Sequence, residues 1–398
     1  MTKSNIISQF QNPFRWIILS LFILLAGLSQ FLWLNFAPIL SQIQSRYGVS
    51  ELMASLLIMI FAILYIFLSI PTGIVIDKRG YKFGIGLGAI IMSLFSFVRV
   101  FDQSFWMLLI GQTGIAIAQP FILNGISKLV ADWFDEKEAG LATGLGTVGM
   151  FAGMAVSLGL TPVLMSTIGL HNTMVASALI TIFVSMLFLI FSKENQQNQS
   201  STRQSINFFE ILKNKNVILL AIVSLLAQGL FNGIATWLEM ILKPFGVSSE
   251  QAGIVGGLLI LGGILGAGII PMISDKFRNR KLFLGACLVT SLFFIYPLCT
   301  NGNFKLLILM GFLFGFLFLP GYALLLTMGE ETCGPKMAGS VTSLLMLTGN
   351  VGGVGITIAM QAVKGAHPTW TNAVILIIVL QIISIGVSFF VKDYIKTR

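Results

Sequence analysis

Charge, cysteine and histidine are all scarce in this chain. Asp, Glu, Lys and Arg together make up 10% of its 398 residues, against about a quarter in a soluble globular domain. So few charges cannot build a water-soluble surface. Two histidines, His171 and His367, are too few for a histidine-based metal centre. Three cysteines, Cys287, Cys299 and Cys333, have no zinc-ligand spacing and cannot all pair. There is no Walker loop, and no Ser/His/Asp or Cys/His set shares a depth, so ATP is not the driver and no enzyme activity is expected. We expect no cofactor and no metal.

What the chain has in abundance is apolar residues, 56% of the total. They fall into about twelve runs, over 14–38, 50–76, 83–101, 105–127, 139–166, 172–192, 216–242, 251–273, 281–299, 304–328, 338–363 and 370–391. Each is long enough to cross a ~30 Å hydrocarbon core at 1.5 Å per helical residue. Lipid offers the backbone no hydrogen-bond partners, so only helices or a closed barrel can span it. Continuous apolar runs, rather than alternation, select helices. The first run is too long for a signal peptide and lacks a small-residue cleavage site.

The net charge of +9 needs no nucleic acid to explain it. With the N-terminus placed inside, nineteen of the 24 Lys and Arg lie on the cytoplasmic side. Only Arg46, Arg99, Lys243, Lys305 and Lys364 lie on the other. The positive-inside rule then puts both termini in the cytoplasm of a multi-pass protein facing anionic lipid. Short loops suit a bacterial inner membrane.

The stretch 193–215 is polar and rich in Gln, Asn and Ser, and reads as a cytoplasmic linker whose second part, 206–212, could be a surface helix. It divides a bundle of six spans (1–192) from a second bundle of six (216–398). The halves echo each other. Gly73-Ile-Val-Ile-Asp77-Lys78-Arg79-Gly80-Tyr81-Lys82 recurs as Pro271-Met-Ile-Ser-Asp275-Lys276-Phe277-Arg278-Asn279-Arg280, 198 residues later. Gly48-Val49 recurs as Gly246-Val247 at the same offset, Pro120 recurs as Pro320, and Ala139-Gly140 recurs as Ala338-Gly339. The expectation is an all-α membrane protein with two pseudo-symmetric six-helix bundles and a site near the midplane between the repeats.

The Gly-x-x-x-Asp-Lys-x-Gly-x-Lys loop resembles the signature between spans 2 and 3 of the major facilitator superfamily. A narrower resemblance rests on Arg15-Trp16, Ser29-Gln30-Phe31-Leu32-Trp33, Tyr47-Gly48-Val49, Gly111-Gln112, Ala118-Gln119-Pro120-Phe121, Lys128-Leu129, Trp133-Phe134, Glu331, Gly339 and Leu344-Leu345. In these stretches the chain is similar to the haem- and choline-transporter family named after the feline leukaemia virus subgroup C receptor. That family transports choline and ethanolamine, and haem has also been proposed as its cargo. The resemblance carries three of its pocket positions onto Trp33, Gln119 and Asn350, the last a shorter amide than the family's Gln. A family Tyr pair falls at Leu230-Phe231 without hydroxyls, and a family Gln falls at Glu239, which gains a charge.

The residues support a compatible chemistry. A tryptophan inside a span can hold a quaternary ammonium on its ring face. Trp33, with Asn35 beside it and Pro38 beyond, is the first candidate, and Tyr65, Phe231, Trp237 and Tyr322 are further lining aromatics. Each could equally be packing. Gln119 is a buried amide that must find partners. Asn350 lies in a glycine-rich run that would otherwise serve close helix packing. Glu239 either neutralises a cation, carries a proton, or sits at the outer interface beside Lys243. Arg99 ends a span and is expected to snorkel outward. Gly73, Asp77, Lys78 and Gly80, with Asp275 and Lys276 in the second copy, read as a cytoplasmic gating latch in which each carboxylate meets a helix N-terminus.

The resulting expectation is a monomeric secondary-active or facilitative transporter working by alternating access. Its cargo would be a small amine or quaternary ammonium. Haem or another amphipathic organic molecule is the second reading, and a non-transporting receptor is the third.

Overall fold

The computed structural model describes residues 13–193, 213–334 and 337–394. The described part of the chain is helical throughout. In order it contains α1 (Phe14–Leu34), a 3-10 turn (Ala37–Ile39), α2 (Leu40–Tyr47), α3 (Glu51–Val98), α4 (Phe105–Trp133), α5 (Glu136–Phe191), α6 (Lys215–Leu242), a second 3-10 turn (Lys243–Phe245), α7 (Ser249–Phe277), α8 (Arg280–Cys299), α9 (Phe304–Cys333), α10 (Ala338–Lys364) and α11 (Thr371–Ser388). Ten stretches among the described residues are long and apolar enough to cross a membrane. Most of the linker 193–215, including its expected surface helix, lies outside the described residues.

Two of the ten are too long for one crossing. α3 has 48 residues and α5 has 56, about 70–85 Å at 1.5 Å per residue. Each is interrupted by a glycine in extended left-handed backbone, Gly80 (φ 84°, ψ 162°) and Gly169 (φ 77°, ψ 171°). These breaks fall where the sequence separates one expected span from the next. Polar caps set other helix starts. The Ser104 side chain accepts from Trp106 N, that of Asp135 from Glu138 N, and Ser248 forms a reciprocal capping box with Gln251.

The chain forms two compact units. Unit 1 comprises residues 1–36 and 56–202, and unit 2 comprises 37–55 and 203–398. The second unit thus incorporates the short segment that links α1 to the body of α3.

Inside each unit the same devices recur. In unit 1, α1 and α5 approach so closely that a Cβ on Gly153 would stand 1.9 Å from the Gly27 carbonyl oxygen. In unit 2, a Cβ on Gly352 of α10 would stand 1.9 Å from the Leu225 carbonyl oxygen of α6. Gly27 and Leu225 are 198 apart in sequence, and Gly153 and Gly352 are 199 apart. Small residues at such crossings let backbones touch where lipid gives no hydrophobic drive for association.

The chain exits are pinned alike. In unit 1 the Trp133 indole donates to the Tyr81 hydroxyl at 2.7 Å, and Tyr81 donates to the Lys193 carbonyl. In unit 2 the Asn216 amide donates to Thr332 Oγ1 (2.8 Å) and to the Lys392 carbonyl (3.2 Å), and accepts from Lys392 N (2.7 Å). Trp133 and Thr332, and Lys193 and Lys392, each stand 199 residues apart.

Candidate functional site

In unit 1, Trp33 ends α1 with its indole N–H donated to the Ile58 carbonyl on α3 at 3.2 Å. Its ring lies beside Phe61, centroids 6.5 Å apart. Trp33 is only partly buried, and it packs against the apolar core of unit 1. Asn35 does not share that face, since two residues along a helix turn the side chain by about 200°. Asn35 is 1% exposed, and neither of its amide atoms has a hydrogen-bond partner.

Gln119 on α4 is equally buried, at 5% exposure, and its Nε2 has no partner. Orphaned polar atoms are rare in native interiors and mark places that water or a ligand can serve. Tyr65 is different. Its hydroxyl donates to Asn124 Oδ1 at 3.0 Å, while the Asn124 amide donates to the Ser69 carbonyl and to Thr72 Oγ1, both at 3.0 Å. This cluster ties α3, next to its Pro71, to α4, leaving only the Tyr65 ring free to line a site.

Arg99 corrects the expectation drawn from its position. It does not snorkel but is 0% exposed, turned into unit 1. Its Nη1 donates to Gln112 Oε1 at 2.9 Å and its Nη2 to Ser177 Oγ at 3.3 Å, with the Phe36 ring 5.9 Å from the guanidinium. Gln112 in turn donates to the Leu32 carbonyl (3.2 Å) and the Leu57 carbonyl (2.9 Å). A buried guanidinium outcompetes an exposed one here because an amide, a hydroxyl and a ring face are all in reach.

In unit 2, Glu239 on α6 is 4% exposed. Its carboxylate accepts from Ser41 Oγ (2.6 Å), Ser41 N (3.1 Å) and Ser249 Oγ (3.0 Å). Gln42 donates to Ser249 Oγ at 3.2 Å. Lys243, one turn on, is exposed and is not among these partners. Also in unit 2, Glu51 takes a salt bridge from Lys364 at 2.6 Å and a hydrogen bond from Gln361 at 2.8 Å.

The other aromatic and amide candidates of unit 2 are spent on packing to different degrees. Trp237 is fully buried, its indole N–H donated to the Thr357 carbonyl at 3.1 Å and its ring 4.7 Å from that of Trp370. Phe231 is buried. Asn350 turns its amide back onto the Met346 carbonyl of its own helix, at 2.9 Å. Tyr322 is half-buried.

At the gating loops, Asp77 and Lys78 are exposed, Gly73 is half-buried, and Gly80 supplies the break in α3. Asp275, 57% exposed, pairs with Arg280 at 2.9 Å, and Arg280 also meets both carboxylate oxygens of Glu331 at 3.0 and 3.1 Å. Lys276 is exposed. Among the described residues no three His, Cys, Asp or Glu side chains gather as a metal site would require.

Sequence reasoning did not single out Ser41, Ser249, Arg280 as a bridge, or Gln112 as a clamp. One signal was available for the first. Ser41 and Glu239 are 198 residues apart, the offset of the internal repeat.

The model of the Major Facilitator Superfamily matches residues 19–357. A choline/ethanolamine transporter of Danio rerio, flvcr2a, is 25% identical over 408 residues, covering 95% of this chain and 87% of that protein. The choline/ethanolamine transporter FLVCR1 of Mus musculus is 25% identical over 389 residues, covering 87% of this chain and 70% of its own length. An uncharacterised MFS-type transporter of Caenorhabditis elegans is 26% identical over 413 residues, covering 95% and 69%. Among solved structures, a bacterial homologue of the human lysosomal transporter Spinster, inward-facing and unoccupied, superposes with a TM-score of 0.81. It is 17% identical and covers 97% of this chain and 99% of that one.

Proposed function

Because the chain belongs to the Major Facilitator Superfamily, a superfamily of multi-pass membrane transporters, we propose that it moves a small amine or quaternary ammonium such as choline or ethanolamine by alternating access. On this reading α3 and α5 are two spans each, broken at Gly80 and Gly169, which raises ten candidate membrane helices to twelve. The halves are then 1–192 and 216–398, joined by a cytoplasmic linker at 193–215. Both termini face the cytoplasm of an inner membrane, and the working unit is a monomer.

The observation that carries the substrate class is Trp33. Its indole nitrogen is committed to Ile58 and the residue is only partly buried, which suits a ring offered to an ammonium group. The relatives named as choline/ethanolamine transporters support the same class. Gln119, with an unspent amide N–H, is the group for a cargo hydroxyl. Asn35, Asn350, Phe231, Tyr65, Trp237 and Tyr322 complete the proposed lining in one or another state of the cycle. Glu239 is the proposed cation or proton site, a buried carboxylate held by neutral donors that a cation or proton could displace. Asp77, Lys78, Gly73 and Gly80, with Asp275 and Lys276, are the proposed cytoplasmic gate. No observation favours haem, since His171 is exposed and bonded to Asp102 at 2.9 Å and His367 is exposed.

The test is uptake of radiolabelled choline by the purified chain in proteoliposomes, competed with ethanolamine, haem and amino acids. Saturable choline uptake blocked by ethanolamine supports the reading. Saturable binding without flux would make the protein a receptor instead.

A further inference from the structure

Arg99 has an environment that packing alone does not account for. It is fully buried, its partners among the described residues are an amide, a hydroxyl and a ring, and its Nε has no partner among them. A buried ion without a counter-charge costs more than an apolar side chain of the same volume. The chain also keeps a glycine to make room for it. A Cβ on Gly111 would stand 2.3 Å from Arg99 Cγ and 3.0 Å from the Phe95 carbonyl oxygen.

What Arg99 holds is Gln112, and what Gln112 holds is the peptide next to Trp33. The two amide hydrogen bonds of Gln112 end on the carbonyls of Leu32 and Leu57. The residues that follow these two are Trp33 and Ile58, and the Trp33 indole donates to the Ile58 carbonyl. One amide therefore fixes both the backbone that carries the ring and the backbone that receives its N–H. Arg99 fixes the amide. Its donors face Gln112 Oε1, so a flipped Gln112 would set NH2 against guanidinium and lose both carbonyls.

We propose that Gln112 and Arg99 are positioning residues for Trp33, setting the angle of its ring and through it the selectivity among ammonium cargoes. Neither touches the cargo. Gln119 lies seven residues, two helical turns, further along the same face of α4. That face of α4 thus carries one amide spent on holding the aromatic and a second with an unspent N–H. The inference rests on the reading of Trp33 as the ammonium-facing ring.

The experiment uses the full chain in nanodiscs, with choline, ethanolamine and tetramethylammonium as probes, and melting temperature measured alongside affinity. Gln112→Glu keeps the length and the Arg99 contact but removes both amide donors. It is expected to weaken choline by about tenfold, the scale of one net hydrogen bond, and to change the choline-to-tetramethylammonium ratio. In a Trp33→Leu background the same substitution should add nothing further. Arg99→Lys, which keeps the charge but cannot reach Gln112 and Ser177 together, serves if Gln112→Glu does not fold, and should give a smaller loss of the same kind. Unchanged choline affinity in a folded variant overturns the inference, as do additive losses in the double variant. If the unsubstituted chain binds none of the three probes, or if Trp33→Leu leaves affinity intact, the reading of Trp33 itself fails and this inference falls with it. Loss on Trp33→Leu without loss on Gln112→Glu sinks the positioning role alone.

Discussion

The Ser41 hydroxyl donates to Glu239 Oε1 at 2.6 Å, and the Ser41 backbone N–H donates to the other oxygen at 3.1 Å. With Ser249 as a third donor, a carboxylate buried in unit 2 is satisfied by two serines. Hydrogen bonds to charged groups contribute about 1.5–3 kcal/mol each when buried. Ser41→Ala should therefore lower the melting temperature clearly, and Ser41→Ala with Ser249→Ala should lower it further. A double variant as stable as the parent protein would show that the carboxylate is held some other way.

Trp33→Ala removes the ring face proposed for the ammonium group. A desolvated cation–π contact is worth on the order of 2 kcal/mol, or roughly thirtyfold in affinity. Choline binding in a scintillation proximity assay should fall by about that factor, while Trp33→Phe should fall less. Equal binding by Trp33→Ala would remove the aromatic from the site.

Gly153 and Gly159 lie in the same helix but meet different surroundings. A Cβ on Gly153 collides with the backbone of Gly27, whereas one on Gly159 meets nothing within 4 Å. Gly153→Ala should cut the yield of folded protein and the melting temperature because backbone cannot move aside as a side chain can. Gly159→Ala should be neutral or slightly stabilising, since alanine is the better helix former by about 1 kcal/mol. Equal behaviour of the two variants in size-exclusion profile and melting would contradict the close α1–α5 approach.

Arg280 bridges Asp275 and Glu331, and its loss leaves the half-buried Glu331 without its cation. Arg280→Ala should destabilise unit 2 by about 1–3 kcal/mol, discounted from a fully buried pair for solvent access. Glu331→Gln in the same background should recover part of the loss, read as melting temperature in detergent. No recovery would mean that the pair is not what stabilises this end of α9.

The helical fold was legible because hydrocarbon leaves the backbone no other solution, and the two helix breaks fall where Gly80 and Gly169 stand. Features set by a residue's own helix can be read from sequence, such as the place of Trp33 in the last turn of α1. Residues whose role is set by distant chain were not. Arg99 looked like a snorkelling cation because its partners Gln112 and Ser177 are 13 and 78 positions away. Glu239 was weighed against Lys243, its near neighbour in sequence, while its hydroxyl donors come from other segments. The stretch 40–47 falls between two expected spans, and it forms α2 within unit 2, where Ser41 and Gln42 find partners.

The spacing between Ser41 and Glu239 has an evolutionary consequence. The two stand 198 positions apart, the distance at which the chain repeats itself, so each occupies the place of the other's copy. In an ancestor made of two identical halves, the same amino acid would have faced itself there. Serine against serine can share a hydrogen bond, but two carboxylates at 2.6 Å would repel unless a proton lay between them. A serine facing an acid is an arrangement that two identical halves could not present. This contact therefore marks a difference between the two halves of the sequence, at a place where each would otherwise meet its own copy.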